Sequence, residues 1–246
     1  MHLAHVLQSK RISQADHAFI VAACDLQMRR DFCPAWGLEP WPCSPFSGLS
    51  GLKAADYHPV FGQDNIGTPD ALGFHDDQAG YIYSRWMVSR DPIDGTTPSH
   101  EDLEMRGDPD CNQWWRMPDG RETASEACDA VEGDSYPIEV SIAGHSRKIM
   151  VSNFVLPAWW TPGAPGPYDF LGKLKAPFTM TAGGYMIIRD RGHIVNIFAD
   201  DLEHLAALDP EHRDHHQAMA RARRAHVGLK LGDPMSRTAR RHATIG

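Results

Sequence analysis

The sequence predicts an α+β fold in which a mixed sheet, in the N-terminal half, carries two helices. Three observations predict it. A capped amphipathic segment opens at Ser13. Short alternating segments between residues 55 and 88 have the two-residue period of strands. A second, self-delimited helical segment then stands inside a chain otherwise rich in proline, glycine and aromatics.

Ser13 and Asp16 have the spacing of a capping box, and Ala15, Phe19, Ala22, Ala23 and Leu26 form one apolar stripe. This first helix is expected to end near Arg30. The segment DFCPAWGLEPWPCSPFSGLSG cannot be a long helix. A strand is expected near Gly37 to Trp41, then a loop through Gly51. Ala55 to Phe61 reads as a second strand, with Tyr57, Pro59 and Phe61 alternating with His58 and Val60. Ala71 to His75 and Gly80 to Val88 read as extended, and Asp91 to Thr96 as a polar loop.

Residues 97–110, TPSHEDLEMRGDPD, read as one short helix with a chemical face. Thr97 suits the N-cap, with Pro98 in the first turn. Gly107 suits a left-handed residue after the last turn, and Asp108-Pro109 ends it. His100 and Glu104 are four apart and share a face, while Glu101 lies one residue round. This is the zinc-peptidase signature H-E-x-x-H with its second histidine replaced by glutamate. Zinc takes imidazole nitrogen and carboxylate oxygen, and a catalytic site keeps a position for water. His100 and Glu104 are candidate ligands and Glu101 the candidate general base. A solvated acidic helix end accounts for the same residues without a metal.

The following half is helix-poor. Turns are expected at 117–120 and 132–134, and strands over Pro137 to Ile142 and Lys148 to Val155. The proline-rich run 157–167 reads as a rigid covering or connecting loop. Tyr185 to Ile188 and His193 to Phe198 read as the arms of a hairpin. Residues 1–200 are expected to form one domain and residues 201–246 a helical, basic extension. His212, His215 and His216 are a weaker metal candidate in that extension, because no carboxylate or cysteine completes a closed site.

Composition narrows the function. A net charge of -8 and a pI near 5.9 disfavour a general nucleic-acid binder, although the basic tail from Arg221 to Arg241 can touch one. No apolar run reaches membrane-spanning length. The N-terminus lacks a long apolar leader segment, and the 5 cysteines show no C-x-x-C pair. Reduced thiols and a cytoplasmic setting are expected.

Glu126 follows Glu104 by 22 residues, within Ala124-Ser125-Glu126-Ala127-Cys128-Asp129. The pattern Ser99-His100-Glu101-x-x-Glu104-x-x-x-Asp108-Pro109, followed by Glu126-x-x-Asp129, resembles a zincin-like, gluzincin-related group of bacterial, phage and plant proteins. QMRRDFCPAWG over 27–37 and ALGFHD over 71–76 share the flavour of that group. The resemblance covers roughly residues 13–188. It implies a zincin-like sheet with an active-site helix, and Glu126 as a third zinc ligand beside His100 and Glu104. Asp129 is then a group orienting a ligand, or the ligand itself. H-E-x-x-E-x-x-G-x-x-D also fits a metzincin-like spacing, which makes Asp110 an alternative ligand; Asp108 is expected to brace the turn.

The architecture further implies that the last strand before the metal helix, here Gly80 to Val88, lies at the sheet edge and pairs with an extended substrate. The expected function is zinc-dependent hydrolysis of a peptide or protein, with one Zn2+ per chain, or another divalent ion because glutamate makes the site harder. The alternative is a non-catalytic protein of the same fold, an interaction or phage-particle protein with a structural ion or none.

Overall fold

The computed structural model describes residues 1–200 apart from 54, 69, 70 and 79. The expected extension and its histidines lie outside the described residues. Five strands form the main sheet: β1 (His2–Leu7), β2 (Cys43–Phe46), β3 (Tyr57–Gln63), β4 (Gly73–Gln78) and β5 (Tyr81–Met87). Their order is β2-β1-β3-β5-β4. Every neighbouring pair is parallel except β4 with β5, which is antiparallel.

Helix α1 (Gln14–Gln27) connects β1 to the segment before β2. Its capping box is present in full: the Ser13 hydroxyl accepts from the Asp16 N–H, and the Asp16 carboxylate accepts from the Ser13 N–H. The helix continues beyond Arg30 through a wider π turn (Met28–Phe32) into α2 (Cys33–Trp36), and stops where Gly37 takes φ 65°. The strand expected over Gly37 to Trp41 is therefore absent. Gly37 closes a helix there, and pairing with β1 begins only at Cys43.

Helix α3 (Thr96–Gly107) packs against β3, β4, β5 and α1. Two local expectations need correction. Gly95, not Thr97, precedes the helix, and the Asp94 carboxylate accepts from the Thr96 N–H at 3.2 Å. Pro98 is then the third helical residue, where its missing N–H still has no intrahelical role. Gly107 is the last helical residue and is not left-handed; Asp108 at φ -140° ends the helix.

The second half folds as predicted in kind. The hairpin β8 (Ser135–Ile142) and β9 (His145–Ser152) packs on α1 and α3. Strands β6 (Trp114–Arg116), β7 (Glu122–Ala124), β10 (Tyr185–Asp190) and β11 (His193–Phe198) form a further sheet in the order β11-β10-β7-β6. The proline-rich run supplies Trp159 and Trp160 to a second apolar core with Val131, Val155 and Ile188. The Trp159 indole N–H donates to the Thr179 carbonyl at 2.8 Å, so this loop covers that core. No helix among the described residues is long and apolar enough to cross a membrane.

His17 is buried, stacked on Trp86 with ring centroids 6.4 Å apart and 6.2 Å from the His5 ring. Burial, then the nearby His5, lower its pKa from 6.5 to about 3. The unfolded chain therefore binds a proton that the native chain excludes between those values. Its contribution to stability is intact above pH 6.5 and is lost as pH falls toward 3. Full loss is of order a few kcal/mol. His17→Leu is expected to unfold less readily than wild type on going from pH 7 to pH 4; equal losses in thermal melts would contradict this.

Candidate metal centre

The face of α3 carrying His100, Glu101 and Glu104 turns toward β4 and the segment 124–129, and every one of those three side chains is buried. Ser99, the residue before the histidine, fastens the helix. Its hydroxyl donates to the Thr96 carbonyl and accepts from the Ser152 N–H at 2.8 Å, tying α3 to β9. At the same end the Gly95 N–H donates to the Met150 carbonyl at 2.9 Å. A Cβ on Gly95 would stand 2.9 Å from Ile149 Cγ2, so glycine permits this close approach.

Asp108 links the helix to the acidic segment. Its carboxylate accepts from the Asn112 and Gln113 N–H groups at 3.1 and 3.0 Å. The Gln113 carbonyl then accepts from the Ser125 N–H at 3.1 Å. Glu126 and Asp129 follow directly, on the turn that leaves β7. The far side of that turn is held by the segment leading into β10: the Thr181 N–H donates to the Ala130 carbonyl, and a Cβ on Gly184 would meet that same oxygen at 2.3 Å. The Gly183-Gly184 pair is what lets the chain pass there.

The two segments converge. His100 Nε2 lies 3.3 Å from Glu104 Oε1 and 3.2 Å from Asp129 Oδ1. Glu104 Oε1 also accepts from the Cys128 N–H at 3.2 Å, which fixes the carboxylate. His100, Glu104 and Asp129 thus offer three ligand atoms within 4.8 Å of one another. A second set, His75, Glu104 and Glu126, meets the same limit. Glu101 is fully buried, with Oε2 3.6 Å from His75 Nδ1. Asp110, the metzincin-like alternative, is exposed and belongs to neither set; Asp108 braces the turn.

His75 was not a sequence candidate. It sits on β4, opposite Ser84 of β5. Gly73 and His75 share one face of the strand, and both meet Glu101: a Cβ on Gly73 would stand 2.6 Å from Glu101 Oε1. The alternation of Gly73 and His75 in ALGFHD was the available signal. The edge strand also differs from expectation. β5 is interior, between β3 and β4, and β4 is the edge, because the chain turns back after β4 to insert β5 beside β3.

Burial works against a charged His100, but the Glu104 carboxylate and the contact with Asp129 outweigh it and hold the imidazole pKa well above 6.5. The cluster therefore attracts positive charge. Zinc bonds of about 2.0–2.2 Å place tetrahedral ligand atoms roughly 3.3–3.6 Å apart. The two separations from His100 Nε2, 3.2 and 3.3 Å, lie near that range, and imidazole nitrogen with carboxylate oxygen is a donor set suited to a divalent ion.

The opposite face of α3 carries Asp102, which is fully buried. Its Oδ2 lies 3.0 Å from His5 Nε2 and 3.8 Å from the Cys43 thiol. These three residues form a third group of metal-ligating types. Burial, then the Asp102 carboxylate, push the Cys24 and Cys43 thiols well above their ordinary pKa. Protonated thiols and a His5–Asp102 pair tie α3 to β1 and β2 there. This accounts for a charge at 102 on a helix buried on both sides. No disulfide is formed among the described residues, and of the 5 cysteines Cys111 alone is not buried.

Comparison with protein-family models, with curated proteins and with solved structures gives no match.

Proposed function

We propose that this chain is a zinc-dependent hydrolase of zincin-like architecture, acting on a peptide or protein. One observation carries the reading: His100 and Glu104 on α3 meet Asp129, from a separate segment, at ligand spacing, with Glu101 buried beside them. Held in place, four carboxylates (Glu101, Glu104, Glu126 and Asp129) repel, and burying them costs several kcal/mol unless hydrogen bonds, protons or a cation compensate.

His100, Glu104 and Asp129 would hold the ion. Zinc there would supply Lewis acidity, polarising a carbonyl and lowering the pKa of water. Glu101 would act as the general base, because it is an acceptor within the same buried cluster and is not needed as a ligand in either set. The Cys128 N–H keeps Glu104 in its ligand orientation. Asp108 keeps the acidic segment in register through Gln113 and Ser125. β4 would pair with an extended substrate along its outer edge, which brings the substrate backbone beside His75 and Glu101. Free thiols accord with the expected reducing, cytoplasmic setting.

The test is metal content joined to activity. Full-length protein purified without chelator or added metal is expected to carry stoichiometric zinc by elemental analysis. Peptide-library cleavage should vanish on chelation and return with zinc. Protein with no bound metal would overturn the reading. Bound metal without cleavage of any peptide or protein would favour the structural-ion alternative.

A further inference from the structure

The geometry points to a second metal position, so that Glu104 bridges two divalent cations in one buried dinuclear centre. This rests on the metal reading of the site and extends it. The two ligand sets, His100 with Asp129 and His75 with Glu126, each close through Glu104 and have no other member in common. The two Glu104 oxygens divide between them. Oε1 is 3.3 Å from His100 Nε2, and Oε2 is 3.8 Å from His75 Nδ1. A carboxylate whose two oxygens face two different imidazoles is placed to bridge, and bridged ions stand about 3.5–4 Å apart in two-metal hydrolytic sites.

Charge argues the same way. Glu101, Glu104, Glu126 and Asp129 together place four carboxyl groups in a set of side chains each no more than 3% exposed. Two divalent ions carry a charge equal and opposite to that of four ionised carboxylates. Each ion would then have one histidine, one carboxylate of its own and a share of Glu104. Glu101, 3.6 Å from His75, lies on the side of the second position. The donors are mainly oxygen with one nitrogen per ion, a set that takes Zn2+ or Mn2+.

The experiment uses the full chain, stripped with chelator and reloaded with Zn2+ or Mn2+. Native mass spectrometry is expected to give two zinc ions per chain in wild type and one in His75→Ala. Electron paramagnetic resonance of the manganese form is expected to show an exchange-coupled pair in wild type and an isolated ion in His75→Ala. Saturation of wild type at one ion, or two ions without magnetic coupling, would overturn the dinuclear centre and leave the one-metal reading standing. No bound ion at all would overturn both. If His75→Ala does not fold, the count and coupling in wild type decide alone.

Discussion

Glu101→Gln is expected to abolish hydrolysis while leaving the bound metal in place. The substitution keeps the size of the side chain and removes its ability to accept a proton. Glu101 is not needed to complete either ligand set, so metal content by elemental analysis should stay within error of wild type. General-base catalysis contributes typically about 10²–10⁴-fold, and the loss in kcat should fall in that range with little change in KM. The fold should tolerate the change, because the amide still fills the space left by Gly73. A variant with unaltered kcat would remove Glu101 from the chemistry; a variant without metal would make it a ligand.

His100→Ala is expected to lose the ion held with Asp129 and to destabilise the protein by roughly 3 kcal/mol, with two causes. Zinc at a hundred times its dissociation constant contributes about 2.7 kcal/mol to the native state, and that linkage disappears. Glu104 and Asp129 also stay together without the imidazole that lies 3.3 and 3.2 Å from them. For a chain of this size the thermal midpoint should fall by about 6–12 °C. Repeating the melts in chelator separates the two causes. The gap between wild type and variant should narrow as the metal contribution is removed from both. An unchanged gap would mean that His100 is structural only.

The helix and its chemical face were legible because H-E-x-x-E places ligand types by local geometry alone. The capping box at Ser13, the β8–β9 and β10–β11 hairpins and the turn at Gly120 were legible for the same reason, since caps and turns are set by neighbours in sequence. Asp108 was read correctly as a brace. What local pattern could not provide was tertiary pairing. β1 becomes a strand through its pairing with β2 and β3. The edge position passed from β5 to β4 because strand order depends on where the chain turns back, which neither segment records. His75 escaped notice because a histidine in a strand looks the same whether it faces solvent or a cluster of carboxylates. Asp102 adds a charge to the helix that local pattern does not explain, and only the fold shows that His5, far away in sequence, is there to meet it.

The most direct test of the central claim is anomalous scattering at the zinc edge from crystals of the full chain grown with zinc. The account predicts a strong peak about 2.0–2.2 Å from a Glu104 carboxylate oxygen, within bonding distance of His100 Nε2 and an Asp129 oxygen. Zinc found only at His5, Cys43 and Asp102, or in the histidine-rich tail, with none at Glu104, would contradict it.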